Sequence, residues 1–334
     1  MDDYGIEAIP VPALVISDQD SVAACNGAFR ALFPHAQTGR SYLTVLRHAN
    51  LVRLVEATRA GTPAGAEELT LRGRARGVFN ATGAKLPSGD VLVCLQDVSE
   101  TAKAIETRRN FVTDLSHELK SPMTAITGIL ETCTEDPDAV APFLPVLSGE
   151  VARMNALVAD LLTLSRVEAN ERRAPDAEIV LQTVITEACT PLAVVAKRAQ
   201  VRIETSLPDR PLRVRADAGE MFRAITNLVE NAVRYSEAGS VVTVACAPVS
   251  GSAGGAGPWA QVRVSDTGVG VDAHHIPRLT ERFYRVDDHR SRGSGGSGLG
   301  LAIVKHIVTR HRGRMTFESA RGKGSQVTLL LPME

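Results

Sequence analysis

Two widely separated blocks of residues constrain the fold and chemistry of this chain more than any other feature. The first, residues 111–122, reads Phe-Val-Thr-Asp-Leu-Ser-His-Glu-Leu-Lys-Ser-Pro and places an imidazole beside a carboxylate. The second consists of 227–231, 266–270 and 296–300, which read Asn-Leu-Val-Glu-Asn, Asp-Thr-Gly-Val-Gly and Gly-Ser-Gly-Leu-Gly. These stretches supply amide oxygens for a metal, a carboxylate for a base edge and glycines around phosphates. The fold must therefore serve both a nucleophile and a nucleotide pocket.

The length, composition and charge indicate a multidomain globular protein. The chain has 334 residues, and because single hydrophobic cores stop growing near ~250 residues, two or three domains are expected. Hydrophobic residues make up 44% and charged residues 22%, as in ordinary soluble proteins. The net charge of −1 gives no electrostatic basis for binding nucleic acid or an anionic membrane surface.

The cysteines and the lack of long apolar runs indicate a reducing, aqueous compartment. The cysteines are odd in number and never form a C-x-x-C pair, so we expect buried, unreactive thiols rather than disulfides or a zinc site. No apolar run approaches the ~20 residues that span a bilayer, and the first residues lack signal-peptide character. We expect a cytoplasmic chain, either natively soluble, peripheral to the inner membrane, or separated from a membrane anchor. The cysteines are Cys25, Cys94, Cys133, Cys189 and Cys246.

Residues 1–98 show the pattern of a small α+β domain. Short apolar runs predict two strands at the start and three antiparallel strands near the end, and the segment through Phe29 and Leu32 is helical in pattern. Strand, turn, strand, helices and three strands resemble a PAS domain. Whether this domain binds a small ligand or contacts another protein stays open. The predicted strands are 13–16, 22–25, 68–71, 77–80 and 91–95, with a hairpin turn at 87–90.

Residues 99–172 carry two long amphipathic helical patterns. A polar connector over 99–110 leads into the first helix, and the second follows a break at 134–138. Two such helices bury too little surface alone, so we expect an antiparallel hairpin that dimerises into a four-helix bundle. An ordinary intramolecular hairpin is the alternative. The apolar positions, spaced by three, four or seven, are Phe111, Leu115, Leu119, Ile126 and Ile129, then Leu147, Val151, Met154, Val158, Leu161 and Leu164.

Residues 173–334 alternate helical and extended patterns after a polar, proline-bearing boundary at 171–176. The Asp217 side chain is expected to accept backbone N–H bonds at the start of a helix, as in a capping box. We therefore expect an α/β domain. The spacing predicts a helix over 179–199, strands at 201–204 and 212–214, a helix after Asp217 that buries Phe222, Ile225, Leu228 and Val229, and a strand hairpin of 241–246 and 259–264 around a loop over 250–258.

His117 and Glu118 provide the elements of a nucleophilic site. A neutral imidazole is a usable nucleophile near pH 7, because the unperturbed pKa of histidine is ~6.5. An adjacent carboxylate can orient the ring or accept its proton. Ser121 lies one helical turn beyond His117, and Pro122 is able to bend the helix locally. A solvated His-Glu pair on a helix surface is the alternative from these two residues alone.

The second block combines metal-ligand and glycine positions. Asn227 and Asn231 are four residues apart, so both amides can converge on one helix face and offer oxygen to Mg²⁺, with Glu230 as a further candidate. Residues 293–298 match G-x-G-x-x-G literally. A charged stretch rather than a strand precedes them, which excludes a dinucleotide-binding Rossmann site. A helix that begins after these glycines could receive phosphate on its N-terminal amides.

The remaining histidines give no indication of a metal site. His274 and His275 are adjacent and would diverge on a helix or a strand. His306 and His311 fall on the helix predicted after the glycines. We therefore do not expect metal binding at these four positions.

The sequence around His117 resembles the H box of sensor histidine kinases. Residues 108–123 read Arg-Arg-Asn-Phe-Val-Thr-Asp-Leu-Ser-His-Glu-Leu-Lys-Ser-Pro-Met and follow that motif almost residue for residue. The resemblance implies that His117 is the phosphorylated residue and Glu118 its catalytic neighbour. It also implies that Ser121 positions water for dephosphorylating the partner protein. Thr or Asn is usual at this position, and serine keeps the hydroxyl of Thr without its methyl group.

The second block resembles, in order and spacing, the N, G1, F and G2 boxes of the Bergerat (GHKL) ATP-binding fold. The resemblance implies ATP and Mg²⁺ as cofactors, with Asn231 and Asn227 near the metal and Asp266 bonding the adenine amino group. Thr267 stands where Asn is common. The implied nucleotide-binding residues are Asn227, Asn231, Arg234, Tyr235, Asp266, Gly268, Gly270, Gly296, Gly298, Leu299 and Gly300.

The same resemblance implies a lid over the nucleotide. Residues 282–285, Arg-Phe-Tyr-Arg, would anchor a mobile lid over about 272–298. Arg290 and Arg292 within it are weaker candidates for phosphate contact. This region and the H-box flanks are similar to the phosphate-regulon sensor kinases, a group that typically carries an N-terminal membrane anchor and a PAS domain.

Together these resemblances imply a two-component sensor histidine kinase. Such a homodimer phosphorylates His117 from ATP and passes the phosphoryl group to an aspartate on the receiver domain of a response regulator. Phosphatase activity and a part in phosphate-starvation signalling are further implications. Two alternatives remain. One is a GHKL ATPase that turns over ATP without His117, and the other is a non-catalytic dimer that binds regulators.

Overall fold

The computed structural model describes residues 5–62, 65–71, 76–135, 140–250, 258–286 and 296–333. The chain forms two compact units, Met1–Val112 and Thr113–Glu334. Across the described ranges, none of the helices combines the length and apolar character that crossing a bilayer requires.

The first unit contains a five-stranded antiparallel sheet whose strand order is β2-β1-β5-β4-β3. All five predicted strands are present. Strand β4 continues to Lys85, beyond the predicted end at residue 80, and seven of its residues pair with β5. One core of the unit gathers Leu14, Phe29, Leu51 and Leu54, all buried. The elements are β1 (Ala13–Ile16), β2 (Val22–Cys25), α1 (Gly27–Leu32), α2 (Tyr42–Val45), α3 (Ala49–Arg59), β3 (Glu67–Leu71), β4 (Gly77–Lys85) and β5 (Val91–Asp97).

Two long helices follow, α4 (Ser99–Glu135) and α5 (Val140–Ala169), as predicted. The predicted apolar stripe of α5 is largely unburied within one chain, since Val151 and Val158 remain 48% and 46% exposed. The buried residues of α5 are instead Leu157, Leu164 and Val167, of which only Leu164 belonged to the predicted stripe. Helix α5 therefore has a second apolar face, which packs within its own chain.

The remainder of the second unit is an α/β sandwich. Its main sheet has the order β11-β12-β10-β9-β7, in which only the β7–β9 pair is parallel, and helices α6, α7 and α8 pack together, with α7 against β9 and β10. The elements are β6 (Glu178–Val180), α6 (Leu181–Arg198), β7 (Arg202–Ser206), β8 (Arg213–Arg215), α7 (Ala218–Tyr235), β9 (Val241–Ser250), β10 (Pro258–Ser265), α8 (Gly300–Arg310), β11 (Arg314–Ser319) and β12 (Ser325–Pro332).

Two details of this region differ from the sequence-based expectations. The helix predicted from residue 179 begins at Leu181, because 178–180 pair with β8 as a short strand. On α7, Met221 is fully buried and Phe222 only half-buried, while the other predicted core positions are buried. The middle of the predicted loop between β9 and β10, residues 251–257, lies outside the described residues.

Candidate active site

His117 is an exposed side chain on helix α4. Its neighbour Glu118 is half-buried and accepts a hydrogen bond from Nη2 of Arg153 on α5, at 3.3 Å. Ser121, one turn further, is also exposed, and α4 continues as a helix through the buried Pro122. The imidazole is thus open to an incoming group, while the adjacent carboxylate is oriented by the second helix of the hairpin.

Asn227 and Asn231 on α7 both face the first residue of α8. The Asn227 side-chain N–H₂ donates to the Gly300 carbonyl oxygen at 3.4 Å. A Cβ atom placed on Gly300 would lie 3.7 Å from Asn227 Cγ and 3.8 Å from Asn231 Nδ2. Two half-buried amides beside a helix N-terminus fit Mg²⁺ together with phosphate, because the amides can offer oxygen ligands and the helix end favours anions. Glu230 is exposed between them.

Asp266 lies at the end of β10 with one carboxylate oxygen committed to the backbone. Its Oδ1 accepts N–H bonds from Gly268 at 2.8 Å and from Ser325 at 3.2 Å. Burial raises the pKa of Asp266, and these two amide hydrogen bonds oppose that rise. Oδ2 makes no hydrogen bond to the described residues, so it can accept one from an amino group of a ligand.

The glycines of 266–270 allow backbone segments to approach at distances that no side chain tolerates. A Cβ atom on Gly268 would lie 2.0 Å from the Tyr235 carbonyl oxygen. Gly270 has φ +64°, and its Cβ would lie 2.0 Å from the Ala320 carbonyl oxygen. The turn after β10 is therefore packed directly against the end of α7 and the β11–β12 connection.

The segment before α8 is connected to the predicted lid anchor. Gly298 has φ +69°, and its carbonyl oxygen accepts the N–H of Phe283 at 3.0 Å. Phe283 itself has φ +61°, a left-handed conformation that is costly for a bulky residue. A Cβ on Gly296 would lie 2.5 Å from Nη1 of Arg234. Phe283 of the predicted lid anchor is thus hydrogen-bonded to Gly298, two residues before α8.

Leu299 and Tyr235, two further predicted nucleotide-binding residues, differ in how exposed their side chains are. The Leu299 side chain is fully buried, so any contact of this residue with a nucleotide would come from its backbone. Tyr235 is 42% exposed at the end of α7. The lid positions Arg290 and Arg292, and residues 293–295, lie outside the described residues.

The divergence expected of His274 and His275 applies to a helix or a strand, and the structure forms neither at these residues. Both residues lie in a turn, where their ring centroids are 3.8 Å apart. Nδ1 of His275 is hydrogen-bonded to the Tyr284 hydroxyl at 2.6 Å, and Arg278 lies 4.1 Å over the Tyr284 ring. A turn brings successive side chains together, whereas regular elements separate them. In the part of the chain that the structure describes, no group of three His, Cys, Asp or Glu side chains could hold a metal ion.

Sequence reasoning missed a set of acidic residues on α5 that contact the nucleotide-binding region. Asp160 pairs with Arg223 of α7 and accepts a hydrogen bond from Ser297 Oγ at 2.9 Å. Glu168 pairs with Arg282 of the predicted lid anchor. These partners are separated in sequence by up to 137 residues, so no local pattern could have indicated them.

Two family models match the chain. Residues 107–170 match the His Kinase A (phospho-acceptor) domain. Residues 216–334 match the histidine kinase-, DNA gyrase B- and HSP90-like ATPase. Their ranges contain the two blocks identified in the sequence.

Curated relatives are sensor kinases. The sensor-like histidine kinase SenX3 of Mycolicibacterium smegmatis is 38% identical over 245 residues, which cover 72% of this chain and 62% of SenX3. The phosphate regulon sensor protein PhoR of Pseudomonas aeruginosa is 36% identical over 243 residues, covering 71% of this chain and 53% of PhoR. The chain thus spans less than two thirds of the length of these relatives.

Solved structures share the fold. A histidine kinase ThkA in complex with the response regulator protein TrrA has a TM-score of 0.53 at 17% identity, covering 100% of this chain and 99% of that chain. The Acinetobacter baumannii histidine kinase AdeS has a TM-score of 0.52 at 24% identity, covering 65% and 98%. The chain thus combines a His Kinase A phospho-acceptor hairpin with a GHKL-type α/β ATPase domain, and it is similar to sensor histidine kinases.

Proposed function

We propose that the protein uses ATP to phosphorylate His117 and then transfers the phosphoryl group to an aspartate of a response regulator. The observation that carries this proposal is the exposed His117 beside the half-buried Glu118, in the same compact unit as the candidate nucleotide-site residues Asn227, Asn231 and Asp266. A nucleotide pocket alone would serve an ATPase. The accessible imidazole, placed within a phospho-acceptor domain, is what favours phosphotransfer.

The residues of the pocket have distinct proposed roles. Asn227 and Asn231 would hold Mg²⁺, whose charge offsets that of the phosphates when it is bound. The Oδ2 of Asp266 would accept a hydrogen bond from the adenine amino group, and Gly268 and Gly270 pack the adjoining turn against the backbone of Tyr235 and Ala320. The backbone amides at Leu299 and Gly300 would face phosphate at the start of α8.

The remaining positions in the pocket would contact the outer parts of the nucleotide. Arg234 and Tyr235 lie exposed at the C-terminal end of α7. Gly296 and Gly298 would let the segment before α8 wrap closely around phosphate. A Cβ on Gly296 would collide with Arg234, and Gly298 has a positive φ that favours glycine. We propose that the Arg282–Arg285 segment anchors a lid over the bound nucleotide.

His117 would receive the phosphoryl group through one ring nitrogen. The new P–N bond forms as the bond between the γ-phosphorus and the bridging oxygen breaks, leaving ADP. Glu118 accepts the proton from the other side of the ring or holds the ring so that solvent takes it. Positioning and charge neutralisation supply most of the barrier reduction in such transfers. Ser121 would orient water when the phosphorylated regulator is dephosphorylated.

The exposed apolar surface of the hairpin supports a homodimer. Helix α5 alone leaves five large apolar side chains about half exposed, and the part of α4 in the second unit adds Met123 and Leu130. A second copy would bury these faces in a four-helix bundle. The exposed large apolar residues of α5 are Leu144, Val146, Val151, Val158 and Leu162.

We propose three domains with boundaries at 1–98, 99–172 and 173–334. The first is proposed to be a PAS-like sensor or interaction domain, which the strand order β2-β1-β5-β4-β3 with helices after β2 supports. We place the protein in the cytoplasm and, because PhoR is a relative, in phosphate-responsive signalling.

Radiolabelling tests the proposal directly. Purified protein is incubated with Mg²⁺ and γ-³²P-ATP, the wild type beside His117→Gln, and the label is examined for acid and alkali stability. We expect an acid-labile, alkali-stable label that the variant lacks. Equal labelling of the variant would reject His117 as the acceptor. Steady ATP turnover without labelled protein would favour a GHKL ATPase instead.

A further inference from the structure

The segment that begins the phosphate-binding end of α8 is hydrogen-bonded to the hairpin. Ser297 Oγ donates to Oδ2 of Asp160 on α5 at 2.9 Å and accepts the N–H of Leu299 at 3.2 Å. The other oxygen of Asp160 pairs with Arg223 of α7. The Asp160 side chain is only 15% exposed. The Asp160 carboxylate of the hairpin is thus linked, through the Ser297 hydroxyl, to the Leu299 N–H at the start of α8.

A second group of contacts lies two helical turns further along α5. Glu168 pairs with Arg282, in the segment proposed to anchor the lid, and its Oε1 lies 3.3 Å from Nε2 of His306 on α8. Nδ1 of His306 lies 3.1 Å from Oε2 of Glu171. Between these two groups the buried Leu164 packs on the same side, and α5 contacts α8. The nucleotide-binding domain is therefore held to α5 by both apolar and charged contacts.

These contacts hold the nucleotide-binding domain at a position along the α5 axis that differs from the position of His117. The Glu118–Arg153 pair marks the point on α5 opposite His117. Asp160 lies about 10 Å further along α5, and Glu168 about 22 Å, at a rise of 1.5 Å per residue. Phosphoryl transfer requires the reacting atoms to come within about 3–3.5 Å. While the Asp160 and Glu168 contacts are intact, the start of α8, where phosphate would bind, is therefore held away from His117.

We propose that these contacts form an autoinhibitory latch that nucleotide binding opens. The latch comprises Asp160 with Ser297 and Arg223, and Glu168 with Arg282 and His306. Phosphate at the start of α8 competes with Ser297 Oγ for the Leu299 N–H and brings negative charge towards the Asp160 carboxylate. Both effects weaken the Asp160 contact. The autoinhibitory effect of the latch rests on the proposed kinase function. The coupling between latch opening and nucleotide affinity does not depend on that function.

Reciprocity makes the latch measurable without any phosphorylation. If nucleotide opens the latch, a closed latch must lower the affinity for nucleotide by the same factor. Weakening the latch is therefore expected to raise nucleotide affinity. A purely structural interface would give the opposite result, because its loss would loosen the pocket.

The test compares the full-length wild type with Asp160→Asn/Glu168→Gln, which removes both charges and keeps the shapes. Binding of a non-hydrolysable ATP analogue with Mg²⁺ is measured by calorimetry, and amide hydrogen exchange is followed in 157–168 and 299–308. We expect the double variant to bind the analogue about 5- to 30-fold more tightly, a difference of about 1–2 kcal/mol. We also expect faster exchange in both segments, and faster exchange in the wild type on addition of the analogue.

A matched control is Glu187→Gln, which neutralises an exposed carboxylate of α6 that has no partner among the described residues. It is expected to bind like the wild type. If the double variant fails to fold, Ser297→Ala removes only the hydroxyl between Asp160 and Leu299 and is expected to raise affinity in the same direction. Unchanged or weaker binding in a folded variant overturns the latch.

The outcome separates the latch from the proposed function. A wild type that incorporates label on His117, while the variants show no change in binding or exchange, would leave the kinase and reject the latch. Tighter binding and faster exchange in a protein that never labels would leave the latch and reject the kinase. If both stand, labelling of the double variant is expected to be faster than that of the wild type.

Discussion

The backbone N–H of Asp217 donates to Nε2 of His311 at 3.0 Å, joining the start of helix α7 to the end of helix α8. The Asp217 side chain caps α7 by accepting the Glu220 N–H at 2.9 Å, which confirms the predicted cap. The second half of a capping box is replaced, because Glu220 pairs with Arg310 instead of returning to Asp217. Nδ1 of His311 is 2.7 Å from the Ile307 carbonyl oxygen, which assigns it the proton and leaves Nε2 as acceptor.

We predict that His311 makes the stability of this domain depend on pH. Burial lowers the pKa of His311 below that of an exposed histidine. Below a pH of ~6.5 the unfolded chain binds a proton that the folded protein does not. The free energy of unfolding therefore falls as the pH falls, by up to about 1.4 kcal/mol per pH unit for one proton.

Urea unfolding between pH 8 and pH 5, followed by the fluorescence of the single tryptophan, Trp259 on β10, measures this dependence. His311→Gln provides the comparison, because its side chain can still accept from Asp217 and donate to Ile307 but does not titrate. The variant is expected to show a flatter profile. Equal slopes in the two proteins would contradict the assignment.

Local patterns explain which parts of the fold were predictable. The strands of the first unit and the helix after Asp217 were recognised because alternation, turn residues and caps act over a few positions. Strands β11 and β12 were missed, although the run Leu329–Leu331 is apolar and buried and could have indicated a central strand. The convergence of Asn227 and Asn231 followed from helical spacing alone.

Long-range contacts explain what could not be predicted. The pairing of Glu168 with Arg282 and the bond from Ser297 to Asp160 depend on how α5 packs against a domain more than a hundred positions away in sequence. The left-handed backbone of Phe283 has the same origin. Its sequence gives no reason for positive φ, which arises because its N–H must reach Gly298.

Cys246 is predicted to be unreactive in the folded protein. Burial on β9 raises the pKa of Cys246 to about 11. At pH 8 only about one thiol in a thousand is then the reactive thiolate. Treatment with iodoacetamide followed by peptide mass spectrometry should leave Cys246 unmodified until urea unfolds the domain. Rapid modification of the native protein would show that this strand opens readily.

Gly268→Ala is predicted to damage the nucleotide-binding domain, because the added Cβ would lie 2.0 Å from the backbone oxygen of Tyr235. Accommodating a methyl group against fixed backbone typically costs about 1–3 kcal/mol. We expect a lower melting temperature and weaker binding of an ATP analogue.

Gly149→Ala is the matched control, since nothing lies within 4 Å of its Cβ position on α5. It should stabilise the helix by about 0.5–1 kcal/mol. Equal effects at the two positions would show that space around the glycine is not what matters.

Glu118 and Arg153 are predicted to act together in the chemical step. Removal of a proton-accepting group lowers such rates by about 10²- to 10⁴-fold, so Glu118→Gln should reduce kcat for labelling of His117 by that factor. Arg153→Gln should reduce kcat less, because Glu118 remains but loses the 3.3 Å contact that orients it.

Both side chains belong to the hairpin rather than to the nucleotide pocket, so the KM for ATP is expected to stay at the wild-type value in each variant. A double variant that is no slower than Glu118→Gln alone would show that Arg153 works through the carboxylate. A fall in ATP affinity instead would show that these residues act on the nucleotide domain.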